Sequence, residues 1–219
     1  RFISANASEI MNMTADELKQ SIKASEGRIV MSENVVEREP FIEDITNAEI
    51  ARAFGADLIL LNGIDVLNPK ISGLSNLDGS FVDQLHNLVG RPIGVNLEPV
   101  DEEASMAEDR LTIVEGRQAN LKTINEIESL GLDFVCLTGN PGTGVTNTQI
   151  EKTIRTTKEV FSGLIIAGKM HGAGVSESIV DLETVKSFIE AGADIILVPA
   201  VGTVPGFDEH ELKEIVKAV

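Results

Sequence analysis

One lysine and one histidine share a glycine-bearing run, Gly168-Lys-Met-His-Gly-Ala-Gly174, directly after the apolar stretch Leu164–Ala167. A lysine whose stem starts in an apolar wall loses water around its amine. That loss lowers its pKa toward general-base or Schiff-base use. His171, two residues on, supplies an imidazole that exchanges its proton near neutral pH, or a metal ligand. Glu98 is followed by Pro99, which restricts the backbone where a reactive carboxylate has to be held. The three residues predict a catalytic set: Lys169 as base or nucleophile, with Glu98 and His171 as proton carriers. Each also has a structural reading, Lys169 as the partner of Glu98 or another carboxylate and His171 as a loop hydrogen-bonder.

Polar residues recur after other apolar runs and are predicted to bind substrate: Glu33, Asn62, Asn96, Thr138, Asn140, Thr143 and Thr203. Ser32 and Asn34 flank Glu33 at the same place. The loop Thr138-Gly-Asn-Pro-Gly-Thr-Gly-Val-Thr146 is the most distinctive. Its small residues precede a helix whose first amides suit a phosphate or carboxylate, although turn residues of this kind also fill ordinary strand-to-helix loops. It lacks the Gly-Lys-Ser/Thr ending of a nucleotide P-loop. Gly202–Gly206 offers a weaker cradle of the same type. Glu33, Asp65 and Glu98 follow three successive apolar runs, and their oxygens suit a hard cation such as Mg2+. The acidic run Asp101–Arg110 reads as solvated surface or a mobile lid, and Arg117 behind it as an anion clamp. His86 and His210 sit in helical patterns and read as surface or packing residues.

These positions need a scaffold. Three segments, Ala48–Leu61, Thr123–Leu137 and Thr184–Val198, each run from an amphipathic helix through a glycine and an acid into a β-branched strand. With Arg28–Met31, Pro92–Val95 and Leu164–Ala167 they predict six strands near 28–32, 57–62, 92–97, 133–138, 164–168 and 194–198. Thr14 with Glu17, Thr46 with Glu49 and Thr146 with Gln149 mark helix starts at capping-box spacing. The order is a helical lead-in over residues 1–26 and then six βα units, in a single domain spanning 1–219. Such alternation demands a parallel sheet covered by helices. No G-x-G-x-x-G follows the first strand, and polar residues recur after every strand, so the α/β fold class expected is a TIM (β/α)8-type barrel of which about six βα units are present. Closure takes eight units. The expectation is therefore that the last two lie outside this sequence, that a partner chain covers the gap, or that the sheet stays open.

Composition narrows the partners. Of 219 residues 42% are hydrophobic, and 18 Lys plus Arg face 35 Asp plus Glu, a formal charge of −17 that repels a phosphate backbone. Nucleic acid is thus not an expected partner. The absence of Trp and Tyr removes an aromatic platform for bases or sugars. Apolar runs fall well short of the ~20 residues of a membrane helix, so no membrane insertion is expected. The lone cysteine, Cys136, suits a reducing, cytoplasmic setting. Exposed sheet edges predict a homo-oligomer.

Several strings resemble a known family: Gly-Val-Asn at 94–96, DFVCLTG at 133–139 with VTNTQIE at 145–151, IIAGKMHGAG at 165–174, and AGADIILVPAVGTVPG at 191–206. They are similar to stretches of the BtpA-like barrels, named for photosystem I biogenesis and of ribulose-phosphate-binding type, and the likeness spans about residues 46–217. What the resemblance implies is a (β/α)8 barrel whose relatives act on small phosphorylated or carboxylated metabolites. A fainter resemblance to phosphoenolpyruvate-mutase-like barrels comes without their acidic metal motif. Three readings follow. The first is an enzyme of lyase, aldolase or isomerase type on a small anionic metabolite. The second is a metal-dependent lyase or hydrolase using Glu33, Asp65 and Glu98. The third is a non-enzymatic assembly or regulatory barrel.

Overall fold

The computed structural model describes residues 1–74 and 79–219. Helix starts follow from short polar side chains. Asn6 and Glu9 form a reciprocal cap ahead of α1 (Ala7–Ile10), a box that the sequence reading passes over. Thr14 with Glu17 opens α2 (Ala15–Lys23) and Thr46 with Glu49 opens α3 (Asn47–Ala53), each hydroxyl accepting from the Glu amide while the Glu carboxylate accepts from the cap amide. The remaining helices are α4 (Phe81–Val89), α5 (Leu121–Ser129), α6 (Asn147–Val160), α7 (Leu182–Ala191) and α8 (Glu209–Ala218). Thr146 caps α6 through the Gln149 amide, without the return arm. Gly55, Gly131 and Gly192 stand after α3, α5 and α7 with φ of 99°, 73° and 112°, the left-handed turn that ends each helix.

Between the helices run β1 (Met31–Val35), β2 (Leu58–Asn62), β3 (Ile93–Leu97), β4 (Phe134–Leu137), β5 (Leu164–Gly168) and β6 (Ile195–Leu197). They form one sheet in the order β1-β2-β3-β4-β5-β6, and β1 with β2, β2 with β3 and β5 with β6 pair in parallel. A doubly wound sheet reverses its strand order at a switch point, whereas a barrel adds each strand beside the last. The strictly sequential order is therefore that of the (β/α)8-barrel class, represented by six units after the lead-in helix α2. Two compact units share the chain. One comprises Arg1–Asn96, Asn125–Val135 and Ser162–Leu164, and the other Leu97–Ile124, Cys136–Phe161 and Ile165–Val219.

The first strand departs from expectation. The apolar run Arg28–Met31 places it near 28–32 with Ser32, Glu33 and Asn34 at or beyond its end, but the ladder runs from Met31 opposite Leu58 to Val35 opposite Asn62, so all three lie inside the strand. The register is set upstream, where the Val30 carbonyl accepts from the amides of Asp57 and Leu58 and the Val30 amide donates to the Asp57 carboxylate. An edge strand has one neighbour and needs no continuous apolar run. Glu33 and Val35 are accordingly exposed.

In the first unit Ile59, Leu61, Leu85, Ile93, Val95 and Phe134 are all at most 2% exposed and form its core. His86 of α4 lies 2.7 Å from the Asp133 carboxylate, which also accepts the Ile93 amide, so this histidine ties a helix to the start of β3. In the second unit Val185, Phe207 and Ile215 gather under α7 and α8, and Cys136 is fully buried in β4 outside any disulfide. Gly94 is fixed by packing: a Cβ there would overlap the Phe134 ring. Gly94→Ala is expected to cost about 1–3 kcal/mol through overpacking. A lowered urea midpoint checks this, and Phe134→Leu added to Gly94→Ala should restore part of the loss.

Candidate functional site

Lys169 follows β5 directly, and the strand's buried wall encloses its stem so that the side chain is 0% exposed. Burial pushes its amine below the ordinary lysine value, with the Glu177 carboxylate opposing the shift. The ammonium has two partners: Glu177, in close contact, and the Val145 carbonyl at 3.3 Å. Glu98 is not one of them. Glu177, whose side chain is 28% exposed, is the outward end of the pair. Its Oε1 also accepts the Asn147 amide at 2.8 Å, while the Asn147 side chain donates to the Ser178 carbonyl. An internal carboxylate thus occupies the first amide of α6, where the sequence suggests an anionic ligand.

Glu98, directly after β3, is buried and accepts from Arg117 at 2.8 Å, from the Asn140 amide at 3.0 Å and from the Asn140 side chain at 3.0 Å. Its own amide and carbonyl bond to Arg117 and Ala119, so both backbone and side chain are fixed. Asn140 passes the constraint on, because its carbonyl accepts the Thr143 hydroxyl at 2.7 Å. Glu98 therefore fastens the front of the 138–146 loop and Lys169 its rear. Asp101 reinforces this loop through its amide to the Gly144 carbonyl and its carboxylate to the Thr146 hydroxyl. The acidic run is laid across the loops after β4 and β5, with Leu111 donating to Gly142, Ala107 donating to Gly174 and Met106 bridging Val175.

Glu98, Asn140, Thr143 and Lys169 thus come together through one loop of the second unit, and Thr138 is buried at its start. His171 is half-buried with its Nδ1 unbonded. Thr203 is exposed and its hydroxyl closes a turn on Ala200. In the first unit Asn96 is 5% exposed and donates to Glu33 at 2.7 Å, and Asn62 ends β2. Asp65 turns its Oδ1 to the amides of Leu67 and Asn68. Among the described residues no group of three or more His, Cys, Asp or Glu is placed to hold a metal ion. With Glu98 and Asp65 engaged in this way, the proposed Mg2+ donors do not fit such an ion. Glu177 escapes the sequence reading because it stands eight positions from Lys169. Its signal is that it is the one acid between Lys169 and Val180.

The family model described as Domain of unknown function (DUF7916) matches residues 3–219. No curated protein matches the chain. Solved structures that it resembles include 3-hexulose-6-phosphate synthase from Salmonella typhimurium, with a TM-score of 0.52, 15% identity and coverage of 98% of this chain and 83% of that one. Thiamine phosphate pyrophosphorylase from Pyrococcus furiosus gives 0.50, 13%, 98% and 78%. 2,3-Dimethylmalate lyase, a member of the PEP mutase/isocitrate lyase superfamily, gives 0.53, 12%, 94% and 66%. At these identities the likeness carries the barrel-type α/β fold. Among the described residues no helix is long and apolar enough to cross a membrane.

The depressed Lys169 value has a sign. The folded state sheds this proton at lower pH than the unfolded chain, whose lysine titrates near 10.5, so between the two values the unfolded state holds more protons and stability rises with pH. Lys169→Met lacks this contribution. The urea midpoint of the native protein minus that of Lys169→Met is expected to increase as pH climbs from neutral toward 10.5.

Proposed function

The chain belongs to the DUF7916 family, and from that premise we propose that it is an enzyme of lyase or isomerase type acting on a small phosphorylated or carboxylated metabolite. The observation that carries the reading is a buried lysine at the carboxyl end of β5, paired with one carboxylate whose other side faces outward. In barrels of this class chemistry resides at the strands' carboxyl ends. The resemblance of residues 165–174 to BtpA-like barrels belongs to the same proposal, as does the homo-oligomer.

Burial favours a proton-handling role for Lys169 over a Schiff base, because an amine with 0% exposure presents no face to a carbonyl. Glu177 is the base. It takes a proton from a carbon beside the substrate carbonyl, and the C–H electron pair moves into the carbonyl to give an enolate. The Lys169 ammonium behind Glu177 holds that carboxylate in place and offsets the negative charge developing before it. Delivery of the proton to the other carbon of an enediolate, or to the opposite face of the same carbon, completes an isomerisation. Glu98 acts at a distance by holding Asn140, and His171 stands two residues beyond Lys169 as a second proton carrier.

Incubation with a panel of 2-oxo acids and sugar phosphates in deuterated water, followed by proton NMR, tests this. Deuterium is expected beside the carbonyl of at least one compound, with the rate reduced about 100-fold or more in Glu177→Gln and in Lys169→Met. Borohydride in the presence of the same 2-oxo acids should leave Lys169 unmodified. Absence of exchange across the panel, or unaltered exchange in Glu177→Gln, refutes the reading.

A further inference from the structure

Arg110 closes the acidic run, with Asp101, Glu102, Glu103, Glu108 and Asp109 before it in the sequence. In a chain so rich in carboxylates a guanidinium is expected to find one. Among the described residues Arg110 makes no ion pair. Its Nη2 donates to two carbonyls of its own segment, Asp101 at 2.9 Å and Ala104 at 3.5 Å, the second at the limit of a hydrogen bond. Its Nη1 is buried without any partner. Leaving a charged donor unsatisfied costs more than leaving a neutral one.

The guanidinium lies against the glycine-rich loop. Gly144 has φ of +75°, and a Cβ there would overlap Arg110 Nη1 and stand 2.8 Å from Cζ, so a side chain at this position would push the guanidinium aside. The next residue, Val145, offers its carbonyl to Lys169 at 3.3 Å. An uncompensated guanidinium and the buried lysine thus address consecutive residues of one loop. Three carboxylates that bond to this loop or its neighbours are committed there, Glu98 to Arg117 and Asn140, Glu177 to Lys169 and Asn147, and Asp101 to Thr146, while Glu108 Oε1 lies close to Gly174.

We propose that Arg110 is the anion receptor of this site, its planar fork taking two oxygens of a phosphate or carboxylate on the metabolite. This rests on the enzymatic reading above for the identity of the ligand, but not for the existence of the contact. An oxyanion supplies the acceptor that Nη1 lacks and replaces the long contact to Ala104. Entry requires residues 101–111 to shift, and the backbone bonds of Ala107 and Leu111 are what such a shift exchanges. Charge explains the choice of residue: in an acidic segment only an arginine kept away from its carboxylate neighbours stays available to an incoming anion.

Calorimetric titration with inorganic phosphate and, separately, with oxalate tests the assignment. The native protein should bind at least one, phosphate alone pointing to a phosphorylated metabolite and oxalate alone to a carboxylated one. Arg110→Gln should weaken that binding at least about tenfold, the scale of a hydrogen bond to a charged group. Arg110→Lys, which keeps the charge and loses the fork, should weaken it less, and Arg155→Gln on α6 should leave it unchanged. Circular dichroism verifies folding, and if Arg110→Gln is unfolded Arg110→Lys decides. Native affinity in the folded variant, or no binding of either anion by the native protein, overturns the proposal. Lys169→Met separates the two readings. Arg110-dependent anion binding without deuterium exchange in any protein refutes the enolate chemistry alone, and exchange by the native protein with anion affinity that Arg110→Gln leaves intact refutes the receptor alone.

Discussion

The ion pair between Lys169 and Glu177 is the constraint on which the second unit's loops depend. A buried ammonium is tolerable only when its donors are met, and here they are met by one carboxylate and one backbone carbonyl from different loops. Glu177 is in turn required by α6, whose first amide it accepts. Removing either partner would leave a charge or a helix end without compensation, so the loop after β4, the loop after β5 and the start of α6 hold one arrangement together. Glu98 plays the corresponding part at the front of the 138–146 loop, with Arg117 and Asn140 as its donors. Two buried charges of opposite sign thus clamp one flexible loop at its two ends.

Local rules were readable in the residues, and distant partnerships were not. Capping boxes at Thr14 and Thr46, glycine stops at 55, 131 and 192, and six apolar runs each depend on neighbours within a few positions. The barrel class followed from their alternation. The edge strand misled because its register is dictated by Asp57, 27 positions from Val30, which no periodicity within 28–35 encodes. The same limit applies to the site. Type and burial marked Lys169 and Glu98, but which carboxylate meets which cation depends on how loops 42 residues apart, such as those of Glu98 and Asn140, come together. Arg110 was passed over because its neighbours in sequence are acids, and the structure turns it away from them.

The acidic composition acquires a local meaning in this light. Carboxylates capping helices, such as Asp181 ahead of α7 and Asp208 ahead of α8, are spent on backbone amides. Hydrogen bonds from the Glu211 and His210 amides hold the Asp208 carboxyl below its usual range. A chain with 35 acids therefore does not present all of them to an incoming anion.

Cys136, sealed at the middle of β4, has a use that its inertness creates. A thiol with no solvent contact reacts with an alkylating reagent only while the strand is transiently open, so its labelling rate is a native clock for breathing of the sheet at that point. With one sulfhydryl in the sequence the signal belongs to a single position, and the chain carries its own dynamics reporter without any added dye.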